Sequence, residues 1–335
     1  MNSDWPRQTV VIPIRNEEKF ISSTINFILN QDYPRENLEV IVVDGQSDDD
    51  TVKIVQEMAK GDSRLRLLNN PKRISSAARN IGAQNATGEI ITFIDGHTYI
   101  DNNQLLKSVA SLMEEKQVCV LSRPQFLETP DNDYFQQAVA LARRSLFGHG
   151  LDSTIYTNNE KFVDPSSSGA SYKKEVFEKI GFFDENFDAA EDVEFNYRVH
   201  LAGYKSFTSP KLAVHYYPRD NMRRLFLQMK RYGVGRFRLS KKHPGAMSSG
   251  TLAPALFVVG LPILIALSLT KSEFVYLLIA LYGLYFVLNL LSSLAVALNN
   301  GLKYLPRLPL IYIAVHWGLG WGFVSEFARF IFRKK

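Results

Sequence analysis

The chain has 335 residues, 46% of them hydrophobic, and a net charge of +5. Its mean hydropathy of -0.11 is that of an ordinary soluble protein, an average that hides a division near Gly250, after which apolar runs dominate. A single cysteine, Cys119, excludes an internal disulfide; its setting, Val118-Cys-Val-Leu121, predicts a buried core thiol. The N-terminus, Met1-Asn-Ser-Asp-Trp-Pro-Arg, offers no apolar stretch of the kind a secretory signal needs, so the N-terminal domain is expected in the cytosol.

From the start, strand-like and helix-like segments alternate. Thr9–Ile14 reads as a strand. Glu17–Leu29 reads as a helix with Phe20, Ile21, Ile25 and Ile28 towards one face. Leu38–Val43 is a strand ending at Asp44. Asp50–Ala59 is a helix with Val52, Val55 and Met58 spaced for burial. Arg64–Leu68 is a strand, Ser75–Ala86 a helix and Ile90–Ile94 a strand ending at Asp95. This alternation predicts a mostly parallel α/β sheet with helices on both faces. Parallel strands bring their C-terminal ends to one edge, where such sheets bind ligands. That edge would gather Pro13-Ile-Arg15-Asn16-Glu17, Asp44-Gly45 and Asp95-Gly96-His97. Each has a plainer reading: Asn16 as the cap of a helix, Asp44 and Asp95 as turn residues before glycine. A carboxylate with an imidazole two residues on suits a divalent ion that also holds phosphate oxygens. Glycine-rich phosphate loops are missing from the sequence, so Arg15 or Arg79 would have to supply positive charge.

Val118–Ser122 reads as a further strand, and Asp131–Phe147 as a helix with Phe135, Val139 and Ala142 inward. Leu151–Pro165 lacks periodicity and is expected to be a mobile loop. Ser166–Tyr172 is open to two readings, a small-residue turn or a glycine-containing strand. Helical periodicity resumes near Glu191, with Val193, Tyr197 and Leu201 on one face, which sets Asp192 near a helix N-terminus. There its plain reading is the decoration of a helix start. Leu212–Pro218, with His215, closes a domain of residues 1–218.

Between Arg219 and Lys242 stand nine Lys or Arg and one acid. Directly ahead of apolar runs, this block favours anionic headgroups over nucleic acid. Met222, Leu225, Phe226 and Met229 share one face, so residues 219–250 read as an interfacial segment. Thr251–Leu269, Phe274–Leu298 and Pro309–Phe332 are each long enough to span a bilayer, making 251–335 a membrane domain of about three helices. The third run carries His316, Glu326 and Arg329. Three full spans would also place Arg333-Lys-Lys335 opposite the basic block, against the positive-inside tendency; a re-entrant or interfacial third run would not.

The ordered motifs Val-Ile-Pro13-Ile-Arg15-Asn16-Glu17, Val-Val-Asp44-Gly-Gln-Ser, Ala-Ala-Arg79-Asn80-Ile-Gly82, Phe-Ile-Asp95-Gly-His97 and Glu191-Asp192 resemble those of family 2 glycosyltransferases, over about the first 215 residues. These are inverting, nucleotide-sugar-dependent enzymes of the GT-A fold. The resemblance implies that Pro13, Arg15, Glu17 and Asp44 line the nucleotide site, usually for uridine, and that Arg79 lies near the diphosphate. Asp95 would open the metal motif, with His97 in place of its second Asp and His215 as a further candidate ligand for Mg2+ or Mn2+. Asp192 would be the general base, beside Glu191 at the acceptor. Gln228-Met-Lys-Arg231-Tyr232 resembles the Gln-x-x-Arg-Trp motif of membrane polysaccharide synthases, with Tyr232 for the Trp. The reading is therefore transfer from a UDP-sugar to a polyprenyl-diphosphate-linked saccharide at the cytosolic face of the bilayer, of the exopolysaccharide type. A processive synthase and a non-catalytic nucleotide-sugar-binding subunit are the alternatives.

Overall fold

The computed structural model describes residues 5–129, 131–149, 155–156 and 158–333. They fall into two compact units. The first runs to Thr129 and resumes in the 150s, continuing to Tyr217; the second takes the intervening stretch and everything from Pro218 on. In chain order the first unit lays down β1 (Gln8–Ile14), α1 (Ile21–Leu29), β2 (Leu38–Asp44), α2 (Thr51–Gly61), β3 (Leu65–Asn69) and α3 (Ser75–Asn85). It continues with β4 (Ile90–Phe93), β5 (Thr98–Tyr99), α4 (Leu105–Glu115), β6 (Val120–Ser122) and β7 (Gln125–Phe126). Helix α5 (Tyr134–Arg144) belongs to the second unit. The first then resumes with β8 (Lys161–Val163), β9 (Gly169–Lys173), α6 (Lys174–Ile180), α7 (Glu191–Leu201), β10 (Ser206–Thr208) and β11 (Val214–Tyr216).

The main sheet has the order β3-β2-β1-β4-β9-β6-β10-β8 among the described residues. Its first four strands are parallel, as expected. β9 runs antiparallel between β4 and β6, and β8 antiparallel at the far edge, so the sheet is mixed. The apolar runs bury both faces. Val10, Ile12 and Ile14 join one core with α1 and α4, while Val11 points into the other with α3 and α7. β2 divides likewise, Val40 and Val42 against Ile41 and Val43. Alternation along a strand sends neighbours to opposite faces, so a continuous apolar run means two covered faces. The register pairs Ile14 with Asp44 and Val11 with Phe93, which sets the ends of β1, β2 and β4 side by side. A small second sheet, β5-β11-β7, completes the unit.

Several expectations change. Lys161–Val163 is an edge strand, not loop; residues 151–154 and 157 of the expected mobile loop lie outside the described residues. Cys119 is half-buried at the edge of the second core, its thiol donating to Glu175 Oε1 at 2.8 Å. Burial and that carboxylate push the thiol up to about 11. On α7 the face with Val193, Tyr197 and Leu201 points outward, Leu201 being exposed. The inward face carries Glu194, Phe195, Asn196 and Val199. Polar residues are tolerated there because they are paired: Glu194 with Arg198 at 3.0 Å, Asn196 with the Tyr172 hydroxyl at 2.7 Å and the Gly169 carbonyl at 3.1 Å.

The second unit holds α5 with α8 (Met222–Lys242), α9 (Ser249–Ser268), α10 (Ser272–Asn300) and α11 (Leu308–Arg333). Asp133 caps α5 in a reciprocal pair with Gln136. Val139 and Ala142 of α5 pack with Tyr304, Leu308, Tyr312 and Val315, so this helix folds with the C-terminal region. α9, α10 and α11 are long and apolar enough to cross a membrane. α8 is not: it carries eight Lys or Arg, each costing about 2.5–3.5 kcal/mol at a bilayer centre. Its apolar face, expected in lipid, is instead buried against α11, with Leu225, Met229 and Gly233 covered.

In α3, a Cβ on Gly82 would fall 2.2 Å from Val11 Cγ1 on β1. Gly82→Ala is expected to destabilise the chain by about 1–3 kcal/mol through overpacking, read as a lowered thermal midpoint in detergent. An unchanged midpoint would show that the contact can relax freely.

Candidate active site

The loops after β1 and β2 are sewn together. The Asn16 amide donates to Ser47 Oγ at 2.8 Å, and Asn16 Oδ1 accepts from the Asp48 amide at 3.0 Å. The Glu17 amide donates to Thr51 Oγ1 at 2.8 Å, and Glu18 Oε2 accepts from the Asp50 amide at 3.2 Å. Asn16 and Gln46 both adopt left-handed backbone (φ 58) to make the bends. Asn16 is thus no helix cap; α1 begins at Ile21, because the residues that would have been its first turn bond to the neighbouring loop. Asp44 is buried, its carboxylate accepting from the Ser47 hydroxyl at 2.6 Å. Pro13 is half-buried in register with Val43, and Arg15 is exposed.

At the end of β4 the backbone turns through Asp95-Gly96-His97, and Thr98 Oγ1 donates to the Asp95 carbonyl at 2.8 Å. A Cβ on Gly96 would lie 2.8 Å from Ile14 Cγ2 and 3.1 Å from Glu17 Cγ. Glycine is therefore what lets this turn close on the β1 loop. His97 Nδ1 then lies 2.8 Å from Glu17 Oε1. With Nδ1–H donated to the carboxylate, Nε2 carries the lone pair, the arrangement metal-binding imidazoles use.

Arg79, on α3, reaches across the same edge. Its Nη2 donates to Asp95 Oδ1 at 3.0 Å and its Nε to Glu191 Oε1 at 3.4 Å. The guanidinium sits 5.3 Å from the Phe93 ring centroid and 5.9 Å from that of Phe183. Burial works against the charge on Asp95, but Arg79, His97 and Arg123 outweigh it and hold the carboxyl below its ordinary range. Arg123 itself, just after β6, is buried. Its Nη2 donates to the Phe93 carbonyl at 2.7 Å and to the Tyr216 hydroxyl at 3.2 Å. Among the described residues its Nε and Nη1 have no hydrogen-bond partner. Burial pushes the Tyr216 phenol up to about 12.

The chain enters α7 through Ala190 in left-handed backbone (φ 60). The next two residues are Glu191, buried against Arg79, and Asp192. Burial and the neighbouring Glu191 carboxylate raise the Asp192 carboxyl above its ordinary range, against the pull of Arg79 and of the Val193 amide at 2.8 Å. A helix start alone would lower it; here desolvation wins, and the group is a stronger base than a solvated aspartate.

Of the residues singled out from sequence, the structure brings together Glu17, Arg79, Asp95, His97, Glu191 and Asp192. Asp44 and Arg15 stand in the two laced loops beside them. His215 is elsewhere engaged: Nδ1 is 2.5 Å from the Glu128 carbonyl and Nε2 is 3.3 Å from Asp101 Oδ2. Pairing of β11 with β5 and β7 fixes it there, so as placed it offers no nitrogen to an ion beside Asp95. Gln228, Arg231 and Tyr232 lie on α8, the Gln228 amide donating to the Tyr232 hydroxyl at 3.3 Å. Arg123 and Tyr216 were not anticipated as site residues. Neither sits in a recognisable motif, although Arg123 follows β6 as Asp95 follows β4.

Among the described residues no three His, Cys, Asp or Glu side chains gather to cage an ion by themselves. Asp95 with His97 fits a divalent cation whose shell is completed by substrate phosphate oxygens, and the two unpartnered Arg123 donors fit an anionic ligand nearby.

Residues 9–181 match the family model described as "Glycosyl transferase family 2". The chain is 32% identical over 271 residues to the succinoglycan biosynthesis protein ExoA of Rhizobium meliloti, covering 78% of this chain and 80% of that one. It is 27% identical over 237 residues to a dolichyl N-acetyl-alpha-D-glucosaminyl phosphate 3-beta-D-2,3-diacetamido-2,3-dideoxy-beta-D-glucuronosyltransferase of Methanococcus voltae, covering 70% and 74%. Among solved structures it resembles the mannosyltransferase PcManGT of Pyrobaculum calidifontis, in complex with GDP-Man and Mn2+. The TM-score is 0.61 at 23% identity over 95% of this chain and 88% of that one, which establishes the GT-A fold.

Removing the Arg79 guanidinium, as in Arg79→Met, leaves Asp95 and Glu191 uncompensated. A loss of about 3 kcal/mol is expected, at the low end for a broken buried pair because Asp95 is partly exposed. The stability Asp95 contributes is present above its ordinary value of 3.8 and lost as pH falls through its lowered folded value. The deficit should therefore be largest near neutral pH and narrow below pH 4, as denaturant titrations at several pH values would show.

Proposed function

The chain belongs to glycosyl transferase family 2 and is a glycosyltransferase of glycan biosynthesis; from that premise we propose that it inverts the anomeric centre of a nucleotide sugar in one displacement onto a lipid-linked saccharide. One observation carries this reading: the Arg79 guanidinium ties the Asp95 end of β4 to Glu191, next to the raised carboxyl of Asp192. A leaving-group side and a base side are thereby joined within one unit of the chain.

In the proposed step, Asp192 accepts the proton of an acceptor hydroxyl as that oxygen forms a bond to the anomeric carbon. The bond from that carbon to the diphosphate oxygen breaks, and the nucleoside diphosphate leaves with the electron pair. A divalent cation, Mg2+ or Mn2+, held by Asp95 and His97 would stabilise the charge gathering on the diphosphate. Glu17 orients His97; Arg79 and the unpartnered Arg123 donors add positive charge on the same side. Glu191 keeps Arg79 in place and, by its own charge, keeps Asp192 basic. Asp44 and the laced loops at the ends of β1 and β2 would receive the nucleoside, with uridine as first choice and guanosine as the comparison.

The lipid-linked acceptor is supported by the dolichyl-linked substrate named for the Methanococcus relative and by the long apolar helices of the chain. Full-length protein in membranes, supplied with Mn2+ and a panel of UDP- and GDP-sugars, is expected to release nucleoside diphosphate and extend a polyprenyl-diphosphate saccharide. No release with any donor would end the reading.

Asp192→Asn is expected to keep donor binding and lose roughly 10²–10⁴-fold in transfer rate; unchanged transfer would remove Asp192 as the base. Because the base works ionised and its carboxyl is raised, the acid limb of kcat/KM should lie above that of an ordinary aspartate. Asp95→Ala is expected to weaken Mn2+-dependent binding of the nucleoside diphosphate, measured by calorimetry with and without chelator.

A further inference from the structure

α11 is long and apolar enough to span a membrane, yet its surroundings within the second unit differ from those of α9 and α10. In its most apolar window 44% of residues are buried within the protein, against 17% in α9 and 6% in α10, and its hydropathy there is 1.3 against 2.2 for each of the others. What covers it decides the matter. Gly318 lies against Met229 and the Phe226 carbonyl. Gly322 lies against the Lys230 carbonyl and Gly233 against the Leu319 carbonyl, each so close that a Cβ would fall 2.0 Å from the oxygen. Further along, Phe237 meets Phe323, Phe327 and Phe330. Arg238 Nε pairs with Glu326 Oε1 at 2.9 Å, and Lys241 sits over the Phe330 ring at 3.8 Å. Residues 226–241 of α8 thus run beside residues 318–330 of α11, in the same direction, for about 20 Å at helical rise.

That companion is the most basic helix of the chain. Lys and Arg at this density belong at headgroups, not in hydrocarbon. A helix bonded along its flank to α8 cannot enter the hydrocarbon without taking α8 along. The first half of α11 is held by the residues that follow α5 and by α10: the Tyr312 hydroxyl is 2.7 Å from Ser145 Oγ, His316 Nε2 is 2.9 Å from the Phe147 carbonyl, and His316 Nδ1 is 3.1 Å from the Tyr285 hydroxyl. Leu310, Trp321, Phe327 and Ile331 remain exposed on the side away from the covered Leu308, Ile311, Tyr312 and Val315 stripe; between them Gly320 and Trp317 meet Pro254 and Phe257 in the first half of α9. One covered stripe and an opposite side of exposed apolar residues, interrupted where the first half of α9 meets Gly320 and flanked by cations, is the pattern of a helix lying in a membrane surface.

We propose that the bilayer is crossed by α9 and α10 alone, and that α11 lies along its surface beside α8 with Leu310, Trp321, Phe327 and Ile331 in the lipid. The chain before α9 and the chain after α11 are then on the same side, and Arg333-Lys-Lys335 joins the basic block instead of opposing it.

The test uses the full chain with Cys119→Ser and single cysteines introduced as Lys242→Cys, Ser272→Cys or Lys335→Cys. A membrane-impermeant maleimide is applied to sealed vesicles of known orientation. Cysteines at 242 and 335 are expected to label from one face and the cysteine at 272 only from the other. Labelling of 335 from the face of 272 would overturn the proposal, as would equal labelling of 335 from both. A second readout needs no cysteine. With Trp5→Phe and Trp317→Phe, the fluorescence of Trp321 should be quenched more strongly by a shallow lipid nitroxide than by a deep one; the reverse order would place α11 across the bilayer.

Discussion

The first unit depends on the position of one guanidinium. Arg79 is buried among Phe93 and Phe183, where an unpaired charge would be prohibitive, and two carboxylates from distant parts of the chain make it tolerable. The arrangement is mutual. Asp95 is kept ionised by Arg79, Glu191 is drawn into a buried place beside it, and Asp192 inherits an acidic neighbour. The two carboxyls thus shift in opposite directions: Asp95 down beside Arg79, His97 and Arg123, Asp192 up through burial and its neighbour Glu191. Opposite shifts in two nearby acids are a common way for one pocket to perform two tasks at one pH.

Much of this could be seen in the residues beforehand, for physical reasons. The runs Thr9–Ile14, Leu38–Val43 and Ile90–Ile94 are too apolar for anything but strands buried on both sides, and their polar ends had to meet at one edge. What could not be seen was lateral. Nothing along the chain says that Asn16 will bond to Ser47 in place of capping a helix. Nothing says that the polar side of α7 will face inward because Arg198 and Tyr172 wait there. His215 looked available until the small sheet fixed its ring against Asp101 and the Glu128 carbonyl. Arg123 escaped notice because a lone arginine after a short strand has no local signature; its meaning comes from the Phe93 carbonyl and Tyr216 across the fold. Helix α4 is different: Leu105, Leu106, Val109, Leu112 and Met113 have helical spacing, so its inward face is legible in the residues themselves.

The C-terminal region shows where hydropathy alone reaches its limit. Length and apolarity describe what a helix could do in lipid, not what already covers it. The glycines at 233, 318 and 322 let two backbones touch, and small residues serve that end in water and in membranes alike. In the proposed arrangement the surrounding charges, above all Arg238 with Glu326, keep this close pair at the headgroups.

In the proposed reading, the stitched loops after β1 and β2 bear on how tightly a donor is held. Segments that must freeze when a ligand arrives subtract their lost conformational freedom from the affinity. Here Asn16, Glu17, Glu18, Ser47, Asp48, Asp50 and Thr51 are already locked to one another by backbone and side-chain hydrogen bonds. A nucleoside would meet a finished seat, and association would be governed by encounter instead of by waiting for the cradle to assemble.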